Sequence, residues 1–513
     1  MKKKRVIPKY FSLDYNMDNR FYITTTLAYI NGDPHIGFAL ELIQADVIAR
    51  HQKLLGKEVV FNTGTDEHGV KVYRAALEEK KDIRVYVDEY AAKFDALKKA
   101  LDISWTNFIR TTDPHHIAAC QEFWKRCSAN GDIYKKDYKI KYCVGCELEK
   151  TDSELNDEGR CPIHPNLRIE TREEENYFFR WSKYQKPLLE LYENNPDFIM
   201  PNFRFNEIKN FVKSGLEDFS VSRLKEKMPW GVPVPGDEAH VMFVWFDALI
   251  NYISTLGWPE DEAKFKDFWP GMQIAGKDNL RQQSAMWQAM LMSAGLPNSK
   301  QILIHGFITA DGQKISKSLG NVIDPFEVTK KYGIDPVRYY LLREIPSDED
   351  GDFSAEKLEA RYNGDLANNL GNLVSRVAKL IETKLEGKLD FEGKFLDDEV
   401  RQKVSEAGEN CEKAINEFKL HEALAKIWEL FAYANVYIDE NKPWADVGGH
   451  PEHFLKTMTS LVYLIINATK MLWPFLPETA EKIFKTYDYN PRANLEGYKF
   501  IISKIEPLFP RLR

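Results

Sequence analysis

The run from Arg20 to Lys53 constrains the fold of this 513-residue chain more than any other stretch. Arg20-Phe21-Tyr22-Ile23-Thr24-Thr25-Thr26 is rich in β-branched and aromatic residues and reads as a core strand. A Gly32-Asp33-Pro34 turn follows and carries His35. From Phe38 to Lys53, Leu40, Ile43, Val47 and Ile48 then recur at helical spacing. Strand, tight turn and helix, with the helix N-terminus at the turn, is the opening of a doubly wound parallel sheet. That N-terminus is also a natural seat for phosphate. Val59-Val60-Phe61 supplies a second strand, ending at Asp66.

The chain is too long for one core, and its character changes along its length. Residues 1–20 read as a tail, with Met17 as an alternative start. Residues 21–131 form the first half of the nucleotide fold. Between 132 and 221, Cys, Gly, Pro and charges become dense, which marks an insertion. Residues 222–343 return to the fold, with strands at Val241–Phe246, Gln273–Ala275 and Ile302–Ile304. A stem spans 344–364. From 365 to 513 the pattern is helical, as in Leu366, Leu370, Leu373, Val374, Val377 and Ile381.

Composition excludes little: 43% hydrophobic and 29% charged residues are ordinary for a soluble protein. The most apolar run, Leu461–Leu476, is interrupted by Asn467, Thr469 and Lys470 and reads as a buried helix. Lys2, Lys3, Lys4 and Arg5 precede no apolar segment, so a secretory signal is not expected and the cytoplasm is. A net charge of −8 does not favour a nucleic-acid partner, but a local basic patch, not the global sum, decides that.

Three of the six cysteines fall within Cys143-x2-Cys146 and Cys161-x2-His164. Two knuckles of two soft ligands each fit one tetrahedral zinc. All four positions are filled, which points to a structural role. Cys120, Cys127 and Cys411 read as plain buried thiols.

Pro34-His35-Ile36-Gly37-Phe38 and Lys314-Ile315-Ser316-Lys317-Ser318 are each weak alone, one a turn and the other a surface loop. Flanked by Tyr29-Ile30-Asn31-Gly32-Asp33 and Thr63-Gly64-Thr65-Asp66-Glu67-His68-Gly69, in this order, they resemble the signature pair of class I aminoacyl-tRNA synthetases. From about Phe21 to Glu478 the chain resembles the methionyl-tRNA synthetases. The resemblance implies an α/β, Rossmann-like catalytic domain, a zinc-bearing connective insertion and an all-α anticodon-binding domain. It implies ATP, Mg²⁺, methionine and tRNA with a CAU anticodon as partners. It also gives His35, Gly37, Gly276, Asp278, Lys314, Ser316 and Lys317 to ATP, with His35, Lys314 and Lys317 catalytic. Phe38 departs from the family, which usually has His there; a phenyl ring cannot donate to phosphate.

By the same resemblance, Asp66 takes the substrate ammonium, and Leu27, Tyr29, Trp245, Ala248, Tyr252 and Gln283 form the methionine pocket. Asn279 and Gln283 stand where the family often has Ile and His, and Leu249 where it often has Pro. Asn372, Arg376, Pro443 and Trp444 match the anticodon readers. The insertion has no room for the editing domain that Leu, Ile and Val enzymes need. A cysteine-specific relative would use zinc in the pocket itself. A simple nucleotidylyltransferase would lack the helical domain, and a non-catalytic tRNA-binding factor would make Phe38 a sign of decay. Some relatives extend into a dimer-forming domain that is absent here, so a monomer is expected.

Overall fold

A computed structural model describes residues 19–146, 148–150, 155–315, 320–446, 451–503 and 505–512. Its centre is a sheet whose paired strands are all parallel: Ala28–Tyr29, Glu58–Asp66, Arg20–Thr24, Met272–Gly276, Gln301–His305 and Ile199–Met200, in that order, with Asn107–Arg110 also on Glu58–Asp66. Alternation along the strands sorts side chains to two faces. Phe21, Ile23, Ile274 and Leu303 pack with the helix Ile36–Leu54 and the C-terminal helices. Tyr22, Ala275, Ile302 and Ile304 pack on the other face, with Phe123 of Pro114–Ala129 and Trp287 of Trp287–Ser293.

One expected strand is divided. Asp237–Met242 is extended but belongs to a small antiparallel sheet with Ser222–Leu224 and Pro233–Val234. Residues Val244–Ala248 form a helical turn instead. The aromatic, β-branched run Phe243-Val244-Trp245-Phe246 favours a strand locally, but tertiary ties at Asp247 prevail over that preference.

The insertion is built on a long hairpin, Ile133–Cys143 with Glu170–Phe179, flanked by Leu148–Glu149 and Phe219–Ser220. Within 132–221 the chain also returns to the main sheet at Ile199–Met200. Beyond the sheet, helical structure runs on from Ala355 to Lys384 through Tyr362–Gly371, followed by the long helices Asp398–Asn416, Leu420–Asn441 and Pro451–Leu472. Arg338, with no exposed surface, joins these helices to the catalytic half. It pairs with buried Asp46 of the first helix at 2.8 Å and donates to the Phe475 carbonyl at 2.8 Å and the Pro474 carbonyl at 3.1 Å.

Candidate functional site

The parallel strands end together, and the sequence motifs collect at that edge, where doubly wound sheets bind ligands. His35 is the exposed N-cap of Ile36–Leu54; its Nδ1 accepts from the Gly37 N–H at 3.1 Å. A Cβ on Gly37 would lie 3.1 Å from this imidazole, so glycine lets the ring lie against the helix end. A cleft of about 300 Å³ opens here, lined by Tyr29, Gly32, His35, Phe38, Ile315 and Val322 among others. Phe38 meets Phe94 edge-on, centroids 5.4 Å apart. Gly276 ends its strand and Asp278 follows in a tight turn. Lys314 ends the short strand Gln313–Lys314; Ser316 and Lys317 lie outside the described residues.

A buried acid on the helix Ile36–Leu54 was not singled out from the sequence. Glu41, 4% exposed, accepts from the Thr26 N–H at 2.7 Å and the Thr26 hydroxyl at 2.6 Å, and faces His305 Nε2 at 2.9 Å. Burial alone would lower the His305 pKa, but Glu41 holds it above the ordinary value. The available signal was a glutamate amid the apolar run Phe38-Ala39-Leu40 and Leu42-Ile43.

Among the expected methionine residues, Tyr29 meets Asp66 and Tyr252 meets Gln283. Tyr29 and Asp66 are register partners on neighbouring strands. Leu27 lies half-buried just before Ala28–Tyr29, while Asp66, Ala248 and Tyr252 are buried. Trp245 is half-buried, and its Nε1 has no hydrogen-bond partner among the described residues. Burial, with the nearby Glu41 and Asp66 carboxylates, pushes the Tyr252 phenol well above its ordinary pKa.

Gln283 anchors a chain of fixed polarity. The Ser299 N–H donates to Gln288 Oε1 at 3.1 Å, which orients that amide. Gln288 Nε2 then donates to Ser299 Oγ at 3.0 Å. The Ser299 hydroxyl donates to Gln273 Oε1 at 2.5 Å, Gln273 Nε2 to Gln283 Oε1 at 3.2 Å, and Gln283 Nε2 to the Tyr252 hydroxyl oxygen at 2.6 Å. Tyr252 is thus an acceptor on this side, and its own proton is directed elsewhere.

In the insertion, Cys143, Cys146, Cys161 and His164 place their ligand atoms within 4.8 Å of one another. Cys146 Sγ lies 3.4 Å from Cys161 Sγ and 3.2 Å from His164 Nδ1. Gly145 is required between the first two cysteines, since a Cβ there would fall 2.4 Å from His164 Cγ. This donor set can hold one metal ion.

At the far end, Asn372 is exposed at the start of Asn372–Lys384, and Arg376 lies one turn on. The Arg376 guanidinium pairs with Asp439 at 2.7 Å and stands 5.8 Å from the centroid of the Trp444 ring. Trp444 is 46% exposed, while Pro443 beside it is buried. No described helix is long and apolar enough to cross a membrane.

A parallel sheet with a His-capped helix start, joined to a helical domain, is the arrangement of the synthetases that charge tRNA. Residues 21–168 and 164–378 match the family model described as tRNA synthetases class I (M), and residues 397–506 match the anticodon-binding domain of tRNA ligase. A methionine–tRNA ligase of Thermotoga maritima is 42% identical over 93% of this chain and 76% of its own length. One of Brucella suis is 44% identical over 90% and 91%. The Mycobacterium tuberculosis methionyl-tRNA synthetase in complex with methionyl-adenylate superposes with a TM-score of 0.92 at 36% identity, over 96% of this chain and 100% of that one. Its apo form gives 0.85. The chain belongs to the methionyl branch of the class I tRNA synthetases.

Proposed function

We propose a residue-level account of the methionine–tRNA ligase activity that comes with this family. The methionine carboxylate attacks the α-phosphorus of ATP and pyrophosphate leaves. The methionyl-adenylate is then attacked by a terminal hydroxyl of tRNA. The protein contributes positioning, and positive charge where the phosphate gains negative charge. His35 donates to phosphate from the helix end, and Gly37 keeps the approach open. Lys314, Ser316 and Lys317 close over the pyrophosphate, Mg²⁺ accompanies ATP, and Gly276 and Asp278 hold the ribose side.

Asp66 pairs with the substrate ammonium, and Leu27, Tyr29, Trp245, Ala248 and Tyr252 surround the side chain. The polarity of the Gln283 chain leaves the Tyr252 hydroxyl as a donor, suited to a thioether sulfur, which only accepts. The Cys143, Cys146, Cys161 and His164 set holds one structural zinc. Asn372, Arg376, Pro443 and Trp444 read the anticodon loop of tRNA with a CAU anticodon; bases stack on Trp444 and pair with amide and guanidinium edges. Clustered free thiols suit a reducing compartment, and the cytoplasm is the proposed location. A monomer is part of the same proposal.

The observation that carries the substrate assignment is the register pairing of Tyr29 with Asp66 on adjoining strands, with Asp66 close enough to Tyr252 to influence its phenol. Amino-acid-dependent ATP–pyrophosphate exchange across the twenty amino acids tests it. Methionine should be the best substrate; a higher rate with leucine, isoleucine or cysteine would overturn the assignment.

A further inference from the structure

Two residues beyond Asp66 the chain turns His68 inward, 4% exposed, with Nδ1 2.6 Å from Asp247 Oδ2. Asp247 is fully buried on the turn Val244–Ala248, between Trp245 and Ala248. Its other oxygen lies 2.9 Å from Nε2 of His116, also fully buried. His116 Nδ1 in turn lies 2.9 Å from Ser254 Oγ, on the turn Asn251–Ser254 that carries Tyr252. Burial would raise the Asp247 pKa, but His68 and His116 hold it well below the usual carboxylate range. Glu67 is pinned independently by Arg110, Nε to Oε1 at 2.6 Å. Beyond Asp66, therefore, the next two side chains are both committed to buried partners.

Cys120 Sγ lies 3.2 Å from His116 Nε2, so His116, Cys120 and Asp247 could also be taken for a metal site. Each imidazole nitrogen facing Asp247 already has that carboxylate as its partner, and all three residues are closed to solvent. A link between segments accounts for the His68–Asp247 and His116–Asp247 contacts without an ion.

We propose that His68, Asp247 and His116 form a clasp that sets the dimensions of the methionine pocket. It ties the strand end bearing Asp66 to the two turns bearing Trp245, Ala248 and Tyr252, which are 179 residues away at the His68–Asp247 contact. These are positioning residues: they act on the substrate through Asp66 and the aromatic wall. The inference rests on the pocket assignment above.

The test is ATP–pyrophosphate exchange on His68→Gln, His116→Gln and the mild variant Ser254→Ala, with melting midpoints measured alongside. His68→Gln and His116→Gln should raise the KM for methionine by about tenfold while the KM for ATP moves by less than about twofold, because misplacement falls on one substrate only. Preference for methionine over norleucine should change with it. Ser254→Ala should show the same split at about threefold. The double variant His68→Gln/Asp247→Asn should be no worse than Asp247→Asn alone, since Asp247→Asn already cuts the link that His68→Gln removes.

Asp66→Asn and Trp245→Ala serve as controls. If these leave the methionine KM unchanged, the pocket assignment itself fails. If they raise it and the clasp variants do not, the clasp fails. Equal loss of methionine and ATP binding, in step with a lower melting midpoint, would make the cluster merely structural and overturn the proposal. More than one metal equivalent in the purified chain, with one equivalent remaining in Cys143→Ser, would overturn it in favour of a metal site.

Discussion

Lys71 donates to the carbonyl of Gly145 over 2.6 Å, and its ammonium lies 5.5 Å from the centroid of the Tyr29 ring. Gly145 sits between two ligands of the proposed zinc, and Tyr29 lines the cleft. One lysine thus moors the metal knuckle against the substrate side of the catalytic domain. Lys71→Met should keep one metal per chain and raise the methionine KM by about threefold to tenfold, less than the full loss of a charge-assisted hydrogen bond because the contact reaches methionine only through the knuckle and Tyr29. Chelation of the parent protein should raise it similarly, and chelation of Lys71→Met should add little. Metal content by atomic absorption, read beside the exchange kinetics, checks this. Additive effects would show that the knuckle does not act through Lys71.

The Arg338–Asp46 pair has no exposed surface, and Arg50 also bonds Asp46 at 2.8 Å. Removing Arg338 leaves Asp46 with Arg50 as its one cationic partner and takes the donor from the buried Phe475 and Pro474 carbonyls, so Arg338→Met should destabilise the protein by about 3–5 kcal/mol. Denaturant unfolding measures this. Because Arg338 holds carbonyls at Pro474 and Phe475, loss of structure should begin where the helical domain meets the first helix.

Asp335, on the same helix as Arg338, accepts from the Thr479 N–H at 2.6 Å, and burial raises its pKa from 3.8 to about 6. The folded state holds this proton to higher pH than the unfolded chain does. Its contribution to stability is complete below about pH 4 and is lost as the pH rises through about 6, about 3 kcal/mol in all. Asp335→Asn keeps the acceptor and removes the titration. Its stability relative to the parent should therefore rise between pH 4 and 7. Parallel stability curves for the two proteins would show that Asp335 does not titrate in this range.

Trp444 is exposed beside Arg376, an arrangement that suits stacking on an unpaired base. Trp444→Ala should weaken aminoacylation of tRNA with a CAU anticodon by about 1–3 kcal/mol and leave exchange without tRNA unchanged. Equal losses in both assays would make it a structural plug at the helix end.

Phe38 is both a cleft residue and the edge-on partner of Phe94. Phe38→His should cost about 0.5–1.5 kcal/mol of stability through the lost aromatic pair. Adenylate formation should be equal or faster, since a donor then faces the phosphate side. Slower exchange in a variant that melts normally would assign the phenyl ring a role in holding the nucleotide.

What the sequence could determine by itself lay in features set by neighbours along the chain. The turn at His35, the two Cys-x2 knuckles, the Asn372 and Arg376 spacing and the helical tail follow from local geometry and ligand chemistry, and they identify the family by order alone. The tertiary structure decided what depends on distant segments meeting. Glu41 and His305 are 264 residues apart, and no periodicity brings them together. The run at Trp245 looks like a strand until the ties of Asp247 to His68 and His116 bend it into a turn. Lys71 is an ordinary surface residue of its helix until the insertion folds back and sets the Gly145 carbonyl above it. Local propensity is worth a few tenths of a kcal/mol per residue, whereas a buried charged hydrogen bond is worth about 1.5–3 kcal/mol. Where the two disagree, the long-range contact prevails, and its partner cannot be read from the sequence around it.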